Sequence, residues 1–316
     1  MRLVFAGTGA IARAHARRLR RYRDVELGFA SREPARAEAI ARELGGSHYP
    51  SYAAAMGAPE VDIVAIVTPP GSHAELALAA LAAGKHVVLE KPALLRASDA
   101  DAVAAAAARA NRRVFVAENY HYKPVLARLR ALLADAVVGD VLFIQVNAIK
   151  RQTAQGWRDA HGALYEGGVH WIDFMTKLGE VRGVRGHAPA ALGAVERSML
   201  VTFDYAGGAV GTLAYSWEVP ATAKGLRLSK IYGRAGTITF ETNGLWVLCH
   251  GTRTRFYVPG LRDLAGYHAM WADFVRAWRE GTEAGMTLAH ARRDLELVEQ
   301  AYTTAGIART AGSHER

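Results

Sequence analysis

Cysteine is almost missing from this chain: Cys249 is the one thiol in 316 residues. That excludes an intrachain disulfide and any multi-cysteine metal or iron–sulfur centre. A metal site would have to be built from His and carboxylates, and none is expected. Long apolar runs are missing too, since no segment approaches the roughly 18–20 residues of a membrane span. The first apolar strand begins at Arg2, which leaves no room for a signal peptide, so a cytoplasmic protein with no membrane partner is expected. What remains, 51% hydrophobic and 22% charged residues, is the balance of a globular chain long enough for two ordinary domains.

Acidic residues are outnumbered, 30 against 39 Lys and Arg, for a formal charge of +9. Arginines crowd one expected helix at positions 13, 17, 18, 20, 21 and 23, yet only Tyr22 accompanies them and no DNA- or RNA-binding motif is present. A solvated helix face explains them, and no nucleic-acid partner is expected. The positive field suits capture of an anionic small molecule.

The most informative stretch runs from Val61 to Pro92. VDIVAIV is a β-branched apolar run of the kind that forms a parallel strand covered on both faces. Thr68-Pro69-Pro70-Gly71 stops it, and a helix follows, with Ser72 as the expected N-cap and Gly84 as its left-handed end. Lys85 to Leu89 then reads as the next strand, completing a βαβ unit that ends in Glu90-Lys91-Pro92. An ammonium and a carboxylate at the carboxyl end of a parallel strand lie where open α/β sheets hold ligands.

At the start of the chain, RLVFA runs directly into Gly7-Thr8-Gly9-Ala10-Ile11-Ala12 and a helix to about Arg21. This is the dinucleotide fingerprint: the first glycine makes the turn, the second admits the pyrophosphate, and Ala12 serves as the small third residue. The second strand ends at Ser31-Arg32, where an NAD-preferring protein commonly carries a carboxylate for the ribose 2′-hydroxyl. Ser31, Arg32 and Arg36 suit a 2′-phosphate instead, so NADP(H) is favoured over NAD(H). Glu33 is the argument for the other cofactor, because a shifted turn would aim it at the ribose.

Strand and helix alternate up to Val114–Ala117, and Glu118-Asn119-Tyr120-His121-Tyr122 forms the exit. From about Val141 the rhythm changes to long strand-like segments split by Gly-rich turns, with one helix around Tyr165–Leu178 and two closing helices near 262–280 and 287–308. The expected fold is an α/β Rossmann domain with a doubly wound parallel sheet over 1–120. An α+β domain with a large, mostly antiparallel open sheet follows over 121–316. The closing helices are available to pack back on the first domain.

These motifs, VFAGTGAIA, TPPGSHAELALAALAAGKHVVLEKP, ENYHYKP and YEGGVHWIDF, resemble the Gfo/Idh/MocA family of nicotinamide-dependent oxidoreductases over nearly the whole chain. The middle motif is the most specific. The resemblance implies that Lys91 holds the nicotinamide region and the reacting hydroxyl, that His170 is the acid/base, and that an acidic residue four positions earlier assists. That residue is Glu166 here, where the family more often has Asp, and the Gly167-Gly168 that follows would place its carboxylate differently. On an α-helix Glu166 and His170 would share a face, with Asp173 on the same side. The chemistry fits: hydride transfer from a carbinol needs a proton acceptor, His has an ordinary pKa of about 6.5, and a lysine stabilises developing alkoxide charge.

Around these, Thr68, Pro69, Pro70, His73, Glu90 and Asn119 are expected to shape the cofactor pocket with Gly7, Thr8, Gly9, Ala10 and Ile11. Tyr120, Tyr122, Trp157, Arg158 and Asp173 are expected to meet the substrate. Trp217, Trp246, Trp271 and Trp278 read as packing. The expected activity is an NADP(H)-dependent oxidoreductase acting on a secondary alcohol or ketone of a sugar, cyclitol or related small molecule. The alternatives that the resemblance leaves open are a non-catalytic dinucleotide- or sugar-sensing binding protein and an NAD-dependent glycosidase of the same family. The resemblance also implies a homo-oligomer formed through the sheet domain.

Overall fold

The structure, a computed structural model, describes residues 1–152, 161–189, 195–220 and 226–307. It divides into two compact units, Met1–Glu118 with Tyr267–Arg293, and Asn119–Gly266 with the segment from Asp294 onward.

In the first unit the strands are β1 (Arg2–Ala6), β2 (Glu26–Ala30), β3 (Ser47–Tyr49), β4 (Ile63–Ile66), β5 (His86–Glu90) and β6 (Val114–Ala117). They alternate with helices α1 (Ala10–Leu19), α2 (Pro34–Leu44), α3 (Tyr52–Gly57), α4 (His73–Ala82) and α5 (Ala97–Ala110). All pairings are parallel, in the order β3-β2-β1-β4-β5-β6. That is the doubly wound order, whose topological switch falls between β1 and β4. Every residue of Ile63–Ile66 is buried, as a strand covered on both faces requires. Ser72 differs from expectation. Its hydroxyl bonds the Pro69 carbonyl and Thr68 Oγ1 inside a 3₁₀ turn at Pro70–Ser72, and caps no helix amide.

The second unit opens with a 3₁₀ turn at Asn119–Tyr122 and α6 (Pro124–Ala134). Its sheet comprises β7 (Val141–Ile149), β8 (Val181–His187), β9 (Ser198–Tyr205), β10 (Val210–Ser216), β11 (Leu228–Gly233), β12 (Gly236–Glu241), β13 (Val247–His250) and β14 (Thr254–Tyr257). The order is β14-β13-β12-β11-β7-β10-β9-β8, antiparallel except for the β10–β7 pair. Alternation along the strands divides the two faces. Ile144, Val146, Val201, Phe203 and Leu213 are buried, whereas Phe143, Leu200, Val210, Leu228, Leu248 and Phe256 are exposed.

A π-helical turn at Leu164–Gly168 leads into α7 (Val169–Thr176), and Phe174 of α7 stacks on Phe240 of β12. α8 (Tyr267–Glu280) belongs to the first unit, and α9 (Leu288–Thr304) begins there and runs on into the second. Among the described residues no helix is long and apolar enough to cross a membrane.

Candidate active site

The fingerprint loop is shaped by close packing on one side and open space on the other. Gly7 has φ +121°, and a Cβ there would stand 3.0 Å from the Val67 carbonyl oxygen, so only glycine fits. A Cβ on Gly9 would meet nothing within 4 Å. Gly9 is the N-cap of α1 and has no side chain to satisfy the first amides, and the first turn carries no acidic residue. An uncapped helix N-terminus beside open space, at the switch point of a parallel sheet, fits a dinucleotide pyrophosphate. Thr8, Ala10 and Ile11 line this turn, while Ala12 is buried.

At the tip of β2, Ser31 is buried and its Oγ accepts from the Glu33 amide at 3.2 Å. The Ser31 hydroxyl proton remains available to an acceptor. Glu33 is paired with Arg36 at 2.8 Å, both side chains well exposed. Arg32 is exposed and makes no ion pair among the described residues.

Lys91 follows directly on β5, at the same end of the sheet as Gly7. Two buried groups hold this turn. Glu90 accepts the Lys91 amide hydrogen through Oε2. His73, 1% exposed, bridges the Thr68 carbonyl (2.8 Å) and the Ala93 carbonyl (3.1 Å). Burial pushes the His73 pKa below the ordinary histidine value, with the two carbonyls working in the other direction. Thr68, Pro69 and Pro70 form the loop that His73 ties to the Lys91 turn.

In the second unit, the Tyr120 and His170 rings stack at 4.3 Å between centroids and 14° between planes. Trp171 meets Tyr120 edge-on at 5.0 Å, and the Lys123 ammonium lies 4.6 Å from the Tyr120 centroid. Tyr122 packs against His121. Asn119 is buried, its amide donating to the Ala265 carbonyl. Glu166, also buried, sits on the π turn itself, and His170 on the α-helical turn that follows. The two residues thus span the junction between a π turn, which winds i to i+5, and an α-helix. Gly167 permits it: a Cβ there would lie 2.1 Å from the Tyr215 hydroxyl.

Asp173 is fully enclosed, 3.3 Å from the Lys177 ammonium and 3.8 Å from His121 Nδ1. Burial opposes its charge, but His121 and Lys177 together hold its pKa below the usual carboxylate range. Asp173 is thus enclosed by protein and engaged by its own neighbours. Trp157 and Arg158 lie outside the described residues.

Tyr215 and Arg227 are two further buried residues in electrostatic reach of Tyr120. Tyr215 is buried beside the π turn. Burial drives its phenol pKa upward, and the nearby Glu166 carboxylate and Tyr120 add to it, while Gln152 hydrogen-bonds it. Arg227, also buried, is within electrostatic reach of Tyr120 and Tyr215, and burial lowers its pKa. Tyr215 lies on β10 and Arg227 directly before β11, in segments that read as strands, so nothing in the pattern singled them out.

Comparison with known proteins places this fold. Residues 1–118 match the oxidoreductase family with an NAD-binding Rossmann fold, and residues 126–239 match the GFO/IDH/MocA C-terminal domain. The chain belongs to the GFO/IDH/MocA family. That family is one of oxidoreductases with an NAD-binding Rossmann fold. The chain is 31% identical over 215 residues to glucose-6-phosphate 3-dehydrogenase of Bacillus subtilis, which covers 63% of this chain and 61% of that protein. Levoglucosan dehydrogenase of Pseudarthrobacter phenanthrenivorans is 27% identical over 302 residues, covering 81% and 74%. An oxidoreductase from Agrobacterium radiobacter in complex with NAD+, L-tartaric acid and magnesium shares the fold at a TM-score of 0.87 and 19% identity, over 97% of this chain and 96% of that one.

Proposed function

We propose that the protein transfers a hydride between NADP(H) and a secondary alcohol or ketone of a sugar, cyclitol or related small molecule. The observation that carries this reading is the uncapped, open N-terminus of α1 at the sheet's switch point, with Lys91 at the same end of the same sheet. The α1 amides receive the pyrophosphate, and the Ser31 hydroxyl with Arg32 receives the 2′-phosphate. The engagement of Glu33 by Arg36 supports the phosphate over the ribose diol. When bound, the nicotinamide supplies the hydride chemistry.

Lys91 holds the nicotinamide region and the reacting oxygen, stabilising negative charge on it, and His170 takes or returns the hydroxyl proton. Glu166 sits next to His170's helix as an orienting carboxylate, with Tyr215 behind it. Tyr120 and Tyr122 present aromatic faces suited to a polyhydroxylated ring. The named sugar dehydrogenases among the relatives support this substrate class. The exposed apolar row Phe143, Leu200, Val210, Leu228, Leu248 and Phe256 supports a homo-oligomer through that sheet face.

A turnover screen of aldoses, cyclitols and their keto forms with NADP(H) and NAD(H) tests the reading. Reduction of NADP+ by at least one of these polyols is expected; failure to bind either NADP+ or NADPH overturns it.

A further inference from the structure

The Lys91 turn is anchored through a chain of buried hydrogen bonds that begins far away in sequence. Trp271 of α8, 1% exposed, donates its indole N–H to Nδ1 of His15 at 3.0 Å. His15 of α1 is equally buried, and its Nε2 lies 3.1 Å from Oε1 of Glu90. The other oxygen of Glu90 accepts the Lys91 backbone amide. An indole N–H can only donate, so Nδ1 of His15 is the acceptor and the ring proton sits on Nε2, directed at Glu90. The contact between His15 and Glu90 is thus a hydrogen bond from a neutral ring with a fixed tautomer.

The ring has little freedom to leave this arrangement. Phe5 lies parallel to it at 6.4 Å, and Tyr267 and Trp271 meet it edge-on at 5.5 and 5.4 Å. Packing alone would be served by an apolar side chain, whereas here two polar atoms of an enclosed ring are both engaged.

We infer that His15 and Trp271 are positioning residues for Lys91: Trp271 sets the tautomer of His15, His15 orients Glu90, and Glu90 fixes the backbone from which the Lys91 ammonium projects. The inference rests on the reading of Lys91 as the group that holds nicotinamide. It assigns a role to two residues outside any dinucleotide fingerprint, one of which the sequence pattern gave to packing.

The test is run on the full-length protein by amide exchange at Lys91, in the wild type and in His15→Leu, His15→Gln and Trp271→Phe. The Gln side chain can place an N–H donor where His15 has Nε2, and Phe keeps the ring packing while removing the indole donor. Exchange at Lys91 is expected to speed up roughly tenfold in His15→Leu, the loss of one hydrogen-bonded support. It should speed up less in Trp271→Phe and stay near wild type in His15→Gln, with the Val88 and Leu89 amides unchanged throughout. ¹⁵N spectra of the wild type should show the His15 proton on Nε2. Equal Lys91 exchange in wild type and His15→Leu, no rescue by His15→Gln, or a proton on Nδ1 would overturn the inference.

A second arm separates it from the functional reading. Acetylation of Lys91 by acetic anhydride is followed by mass spectrometry with and without NADPH. Protection by NADPH in the wild type, weakened in His15→Leu and restored in His15→Gln, is expected. Absence of protection in the wild type overturns the role of Lys91 at nicotinamide, while the exchange data still decide the anchoring.

Discussion

The imidazole of His170 lies nearly flat on the ring of Tyr120, 4.3 Å between centroids and 14° between planes. A stacked ring of this kind contributes about 0.5–1.5 kcal/mol beyond its buried area, enough to define the orientation of the imidazole, which in the proposed reading transfers the proton. Tyr120→Leu is expected to lower kcat by about 2–10-fold and to shift the pH–rate profile, while Tyr120→Phe stays close to wild type. Steady-state kinetics across pH check this, and an unchanged profile in Tyr120→Leu would remove the stack from the account of His170.

Gly167 lets the π turn pack against Tyr215, because a side-chain carbon there would collide with the tyrosine hydroxyl. Gly167→Ala should therefore displace the turn that carries Glu166. Turnover is expected to fall by about 10²-fold, the scale of a misplaced active-site group, with NADPH affinity within about twofold of wild type. Calorimetric titration beside kinetics measures both, and full activity would dissociate the turn from catalysis.

In the proposed reading Ser31 and Arg32, at the tip of β2, receive the 2′-phosphate. Removing a charged donor to phosphate costs about 1.5–3 kcal/mol, so Arg32→Ala should weaken NADPH binding by about 10–100-fold. NADH binding should change little. Equal losses for the two cofactors would show that Arg32 does not read the 2′-phosphate.

Glu196 gives a pH dependence of defined sign. It is buried where its Oε1 accepts from the Leu164 amide (2.9 Å) and the Tyr302 hydroxyl (2.8 Å), and burial pushes its pKa up to about 6. In the unfolded chain a glutamate titrates at about 4.3, so between these values the folded state keeps a proton that the unfolded state has released. Stability from this group is present below about pH 4.3 and declines as pH rises to about 6, by about 2 kcal/mol in all. Glu196→Gln, which cannot ionise, should gain that amount relative to wild type between pH 4 and 7, as read by urea unfolding. A difference that does not vary with pH would contradict the buried carboxyl.

Much of the first unit could be read directly from the residues. The glycine turn and the covered strand at Ile63–Ile66 follow from local patterns, because parallel strands buried on both faces are apolar throughout, and β5 ends at Glu90, one residue beyond the expected Leu89. The long strands of the second sheet were visible through two-residue alternation. β8 was not, since its VRGVRGH breaks that pattern: a Cβ on Gly186 would stand 2.2 Å from the Ala301 carbonyl, so α9 demands glycine where a strand would show a side chain.

The turn at Glu90-Lys91-Pro92 was legible as a contiguous motif at a strand end, whereas arrangements that depend on distant packing were not. The π turn packs at Gly167 against Tyr215, some fifty residues further on, and the His15–Trp271 bond joins opposite ends of the chain. No local periodicity encodes either.

The most direct measurement is the rate of NADP+ reduction by the best polyol from the screen, in Lys91→Ala beside the wild type. A fall of at least about 10²-fold with NADP+ still bound is expected if Lys91 stabilises charge on the reacting oxygen. Full turnover by Lys91→Ala would contradict it.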